Sequence, residues 1–197
     1  VFSPNAKYIY VGRDGRDSVW STHNHHVNML DWVYEALEEL PDMGPVIQKP
    51  TTDDMREYFH DWFNREGYPF WPFWENVRAW WAVRDLPNVM MLHYQNLKND
   101  MEGEMRKLGE FLECEVDESK WEEMVLHCTF DYMKHNAQES APLQGSLWAG
   151  GAETFVNKGT NDRWRDTLTE VDVAMYETRA DEELGADCAK WLATGEM

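Results

Sequence analysis

The stretch Lys7-Tyr8-Ile9-Tyr10-Val11-Gly12-Arg13-Asp14-Gly15-Arg16-Asp17-Ser18-Val19-Trp20-Ser21 decides how the chain is read. Its first half is short, aromatic and β-branched and ends on glycine, which predicts a buried strand. Its second half opens a helix from Asp17 to about Glu39, with Val19, Val27, Leu30, Val33, Tyr34 and Leu37 on one stripe and Pro41 as the stop. In open α/β sheets, ligands bind beyond the carboxyl ends of strands. An arginine placed there, followed by a hydroxyl on the first turns of a helix, suits an anion. The guanidinium forks onto phosphate oxygens, and the helix start adds its positive end. Arg13 and Ser21 have that arrangement, although Arg13 has Asp14 and Asp17 as alternative ion-pair partners.

Working outward, Val89–Tyr94 predicts a second apolar strand entered from Pro87-Asn88. Helices are expected at 53–64 (capped by Thr52-Asp53-Asp54 and broken at Gly67-Tyr68-Pro69), 73–85, 100–113, 118–127 and 171–184, the last capped by Thr169. Residues 136–163 are rich in Gly, Ala, Ser and Asn without periodicity and are expected to form a long loop, functional or mobile. Two apolar strands separated by helices imply a parallel sheet in an α/β layer fold. A single domain over residues 1–197 is expected.

Composition narrows the function. The 197 residues carry 18 basic and 37 acidic side chains, a net charge of −19. So acidic a chain is expected to have no nucleic-acid partner and no seat on an anionic membrane. Aromatic content of 14%, with 11 Trp, argues for a folded core despite the charge. Three cysteines at irregular spacing, Cys114, Cys128 and Cys188, point away from a disulfide framework and toward a reducing cytoplasm.

Phe155-Val156-Asn157-Lys158-Gly159-Thr160-Asn161-Asp162-Arg163-Trp164-Arg165 is a second anion candidate, with a cation beside a glycine whose backbone can approach a ligand closely. An ordinary polar surface loop is the alternative. His23, His25 and His26 face different directions on a helix, so no metal site is expected of them. His25 or His26 is a candidate to face an acceptor. Phe70-Trp71-Pro72-Phe73 is either core or the wall of an apolar acceptor pocket. Glu102, Glu104, Glu113, Glu115, Glu118, Glu122 and Glu123 are expected to form a solvated acidic face.

Four segments in register resemble the cytosolic-type sulfotransferases. Lys7–Ser21 is similar to the family's strand followed by Arg-Asn/Asp-x-x-Asp, with a serine eight residues after the arginine. Asn88–Lys98 resembles its strand-plus-Tyr segment. His127-Cys128-Thr129-Phe130-Asp131-Tyr132-Met133-Lys134-His135-Asn136 resembles Ser-Phe-x-x-Met-Lys-x-Asn. Phe155–Gly159 through Trp164-Arg165 and Leu168-Thr169 is similar to Arg-Lys-Gly-x-x-Gly-x-Trp-Lys-x-x-Phe-Thr.

The resemblance implies a P-loop-NTPase-like parallel sheet flanked by helices, and a sulfuryl donor, 3′-phosphoadenosine-5′-phosphosulfate (PAPS). It implies that Arg13, Ser21, Lys158 and the backbone at Gly159 hold the 3′-phosphate, that Phe130 stacks on adenine and that Tyr94 lies at the edge of the base. Asn157 stands where the family commonly has Arg. Cys128 replaces a hydroxyl residue, and Asp162-Arg163 replaces Gly-Asp. The family's dimer motif becomes Arg165, Thr169-Glu170 and Ala174.

The family's Pro-Lys-Ser-Gly-Thr-Thr-Trp loop and its Lys-Thr-His catalytic base have no counterpart before Arg13. The expectation is therefore a C-terminal fragment of about two-thirds of the domain, its sheet incomplete at the N-terminus, with no catalytic residue of its own and no turnover alone. The alternative is a non-catalytic nucleotide-binding or protein-interaction module that keeps half of the site.

Overall fold

A computed structural model describes residues 3–40, 47–67 and 72–197. In chain order the elements are β1 (Tyr8–Gly12), α1 (Gly15–Asn28), α2 (Asp31–Glu38), α3 (Met55–Asn64), α4 (Phe73–Ala82), β2 (Val89–His93), α5 (Tyr94–Asn99) and α6 (Met101–Leu112). Then follow α7 (Trp121–His127), α8 (Phe130–His135), α9 (Ala137–Ser140), α10 (Ala152–Phe155), α11 (Glu170–Leu184) and α12 (Ala186–Thr194). Short 3₁₀ turns lie at Glu118–Lys120, Pro142–Gly145 and Arg163–Asp166.

The chain divides into two compact units. The first holds residues 1–15, 74–129 and 175–197, and the second holds residues 16–73 and 130–174.

In the first unit β1 pairs with β2 in parallel, as the two apolar runs predict, with Tyr8 opposite Val89 and Gly12 opposite His93. One face of β1 is covered by aromatics. Tyr10 stacks on Trp80 at 5.4 Å and lies 6.2 Å from Trp191. The Tyr10 hydroxyl donates to Asn76 Oδ1 at 3.0 Å, and burial pushes its pKa up to about 12. The other face is not buried as the sequence suggested, since Ile9 and Val11 are 40% and 51% exposed. Alternation along a strand sends neighbouring side chains to opposite faces, and the Trp80–Trp191 layer covers one of them.

At the end of β1 the Trp191 ring lies against Gly12. A Cβ there would sit 2.3 Å from Trp191 Cη2, and Trp191 is 1% exposed. Gly12→Ala is therefore expected to destabilise the protein by about 1–3 kcal/mol through overpacking, read as a lower denaturant midpoint. An unchanged midpoint would show that the indole can move.

In the second unit the expected long helix is two helices. The break falls at Met29-Leu30, where Met29 forms an isolated antiparallel bridge to Trp148. Leu30 is extended (φ −70°, ψ 148°). Ala149 N–H donates to the Asn28 carbonyl at 2.7 Å and Leu30 N–H to the Leu147 carbonyl at 3.0 Å. Pairing with a distant segment outcompetes continuation of the helix, even though the apolar stripe runs on. Pro41 itself lies outside the described residues, as do Tyr68 and Pro69.

α3 starts as expected. Asp54 caps it by accepting from Glu57 N–H at 2.9 Å, and its Tyr58, Phe59 and Trp62 are buried. Thr169 and Asp172 cap α11 reciprocally, with Thr169 N–H to Asp172 Oδ2 at 2.9 Å and Asp172 N–H to Thr169 Oγ1 at 3.3 Å.

Residues 136–163 are not a featureless loop. They contain α9, α10 and a small core of Ala137, Ala141 and Ala152, with Phe155 and Val156 packed against it. Alanines at that density show no amphipathic period, so the sequence reads as loop.

The acidic face is only partly solvated. Glu104 is 7% exposed and takes Lys107 Nζ at 2.6 Å. Glu102 accepts from Trp121 Nε1 at 2.7 Å. Arg106 lies 3.8 Å over the Trp121 ring and forks onto Glu118. The helix α12 goes unrecognised in the sequence, yet it supplies Cys188, Trp191 and Leu192 to the core.

Candidate functional site

The parallel register of the first unit places two of the expected site residues. Because Gly12 is opposite His93, the residues that follow, Arg13 and Tyr94, emerge side by side at the carboxyl ends of the two strands. The Arg13 guanidinium lies 4.4 Å over the Tyr94 ring. An arginine over an aromatic face keeps its charge and its planar, forked guanidinium, chemistry that suits an oxyanion. His93 holds this corner. It is 2% exposed, its Nε2 lies 3.0 Å from the Leu192 carbonyl and its Nδ1 accepts from Gln95 N–H at 3.2 Å. Those partners assign the proton to Nε2. Burial holds the imidazole neutral by pushing its pKa down. The Gly15 N–H, just beyond Arg13, donates to the Tyr176 hydroxyl at 3.0 Å.

The second unit brings together the remaining predicted residues of the late loop. Phe130, half-buried at the start of α8, packs directly on Gly159. Gly159 has φ +61°, and a Cβ added there would lie 2.2 Å from Phe130 Cδ2. Both the backbone conformation and the ring demand glycine. Lys158 beside it is exposed and Asn157 is half-buried. Beyond the loop, Trp164 is 4% exposed. It carries the guanidinium of Arg16 at 4.0 Å and that of Arg165 at 4.3 Å over its ring. Ser21 is half-buried in the second turn of α1.

The three histidines of α1 have distinct surroundings. His23 Nε2 lies 3.0 Å from the Asp53 carbonyl. His26 is 3% exposed, between the Tyr58 hydroxyl at 2.8 Å and the Gln48 carbonyl at 2.7 Å. His25 packs on Phe155 at 4.8 Å and Trp148 at 5.7 Å, and its buried Nδ1 has no hydrogen-bond partner among the described residues. Burial lowers all three pKa values. Phe70 and Trp71 lie outside the described residues, and Phe73 packs edge-on against Trp62 at 5.0 Å.

A second cluster in this unit went unread in the sequence. Asp172 takes Arg56 through two hydrogen bonds of 2.7 and 3.0 Å and His60 Nε2 at 2.9 Å. Its side chain is 3% exposed. Arg56, followed by the Thr169 backbone and hydroxyl, holds the carboxyl far below the usual carboxylate range. The partners are 116 residues apart, and no local pattern pairs them.

Comparison with known proteins identifies the family. Residues 1–186 match the sulfotransferase domain family. Sulfotransferase 1C2 of Rattus norvegicus is 28% identical over 167 residues, which is 84% of this chain and 50% of that protein. Luciferin sulfotransferase of Photinus pyralis is 31% identical over 178 residues, 87% of this chain and 42% of that protein. Among solved structures, a mouse sulfotransferase complexed with PAP aligns with a TM-score of 0.69 at 18% identity, covering 95% of this chain and 61% of the other. Retinol dehydratase in complex with androsterone and the inactive cofactor PAP aligns with a TM-score of 0.66 at 24% identity, covering 90% and 47%.

The chain belongs to the sulfotransferase family, and its fold is the sulfotransferase α/β fold. It spans about half the length of the curated relatives it matches. No described helix is long and apolar enough to cross a membrane.

Proposed function

We propose that the chain supplies the 3′-phosphoadenosine-binding part of a sulfotransferase that moves a sulfuryl group from PAPS to a hydroxyl or amine of a small acceptor. The observation that carries this reading is the Arg13–Tyr94 pair, set by strand register at the carboxyl ends of a parallel sheet. Arg13 and Ser21 take the 3′-phosphate, with Lys158 as a point charge and Gly159 as close-approaching backbone. Phe130 gives adenine a flat face and Tyr94 meets its edge. Asn157 contributes a neutral donor where relatives commonly carry Arg. The positive φ of Gly159 fits a loop whose successive backbone N–H groups can turn toward an anion.

In the transfer, the bond between sulfur and the bridging phosphate oxygen breaks as a bond from sulfur to the acceptor oxygen or nitrogen forms. The acceptor's proton passes to a base, and the bisphosphate nucleotide leaves. By analogy with phosphoryl transfer, this demands positioning and charge stabilisation. The residues named here position the nucleotide, and none of them is assigned as the base. A reducing, cytoplasmic setting suits cysteines that are all unpaired.

The test is transfer by the whole protein from radiolabelled PAPS to a panel of phenols, alcohols and amines. A labelled sulfate ester or sulfamate is expected. Absence of labelled product across the panel, with the donor intact, contradicts the reading.

A further inference from the structure

Each backbone carbonyl from 152 to 156, at the entrance to the late loop, accepts a hydrogen bond. The Ala152 carbonyl accepts from Val156 N–H at 3.0 Å, and the Phe155 carbonyl accepts from Asn157 N–H at 3.0 Å. Thr154 offers its carbonyl to Asn24 Nδ2 at 2.8 Å. The two that remain, Glu153 and Val156, both accept from the ammonium of Lys134, at 2.7 and 2.5 Å. A four-residue helix such as α10 leaves its last carbonyls without partners of its own, so something else must take them. One lysine from α8 takes two, and its positive charge suits the negative end of the helix.

The same short helix α8 carries Phe130 at its first residue and Lys134 one turn later. Phe130 lies against Gly159, and Lys134 holds Glu153 and Val156 just before Asn157. The segment 153–159 is therefore gripped at both ends from α8. Water replacing the ammonium would satisfy the carbonyls without fixing where they point.

We propose that Lys134 is a positioning residue for nucleotide binding, its ammonium clamping the Glu153 and Val156 carbonyls so that Lys158 and Gly159 are presented to the 3′-phosphate. The proposal rests on the nucleotide reading given above. Lys134 itself touches no ligand in this scheme.

The test compares Lys134→Met, Lys134→Gln and Lys134→Arg with the unsubstituted protein in two measurements. Hydrogen exchange without nucleotide reports the clamp: Lys134→Met and Lys134→Gln are expected to speed exchange of peptides spanning 153–160 at least tenfold, with α1 and α3 unchanged, and Lys134→Arg to restore protection. Calorimetry reports its use. Lys134→Met is expected to weaken adenosine 3′,5′-bisphosphate about tenfold and adenosine 5′-monophosphate less than twofold, with recovery in Lys134→Arg. Unchanged exchange at 153–160, or equal weakening of both nucleotides, overturns the proposal while leaving the nucleotide reading intact. Failure of the unsubstituted protein to bind the bisphosphate overturns the nucleotide reading, and the proposal with it.

Discussion

Arg13→Ala is expected to weaken the binding of adenosine 3′,5′-bisphosphate by roughly 10- to 100-fold, if the proposed site is the nucleotide site. Hydrogen bonds to charged groups contribute about 1.5–3 kcal/mol, and each 1.4 kcal/mol is a factor of ten. A guanidinium can fork two donors onto a phosphate, and that of Arg13 lies 4.4 Å over the Tyr94 ring at the strand ends. Lysine at this position keeps the charge and loses the fork, so Arg13→Lys falls between the two. The loss is specific to the 3′-phosphate, and adenosine 5′-monophosphate binding changes little. Calorimetry with both nucleotides measures it, and equal affinities of the unsubstituted protein and Arg13→Ala for the bisphosphate remove Arg13 from the site.

The second large effect is on stability. Asp172→Asn keeps the shape of a buried side chain while removing the charge that Arg56, His60 and Thr169 all address. Breaking a buried ion pair by removing one partner costs about 3–5 kcal/mol. Arg56 is half-exposed and can return to water, which leaves no buried charge unpaired, so the loss expected is that of hydrogen bonds to a carboxylate, about 1.5–3 kcal/mol, or roughly 3–12 °C in Tm for a chain of this size.

The pH dependence has a definite sign. The folded state holds the Asp172 carboxyl below its ordinary range, so the unfolded chain binds the proton more readily. The stabilisation is present above about pH 4, the unfolded value, and is lost as pH falls toward the folded one. The Tm difference between the unsubstituted protein and Asp172→Asn therefore narrows between pH 5 and pH 3. A difference that stays constant across that range contradicts the assignment of the effect to the carboxylate.

These two sites differ in how much of them the sequence discloses. Arg13 is legible because a strand, a glycine and a helix start lie next to one another, and local order is what periodicity reports. The parallel pairing of β1 with β2 is likewise implied by two apolar runs with helices between them. The pairing of Arg13 with Tyr94 needs the register as well, and that depends on which residues face which at a sequence offset of 81. Asp172 with Arg56 is non-local altogether. The break at Leu30 is hidden for the same reason, since its cause is Trp148. In residues 136–163, the small alanine core gives no apolar stripe to read, so α9 and α10 pass as loop. Phe130 and Gly159 are visible as residue types in a family pattern, but their mutual contact, which explains the glycine, is a fact of folding.

Titration of the protein with adenosine 3′,5′-bisphosphate and with adenosine 5′-monophosphate tests the central claim most directly. Binding of one bisphosphate per chain, at least tenfold tighter than the monophosphate, is expected, because the proposed site uses Arg13, Ser21 and Lys158 for the 3′-phosphate. Equal affinities for the two nucleotides, or no binding of either, would contradict it.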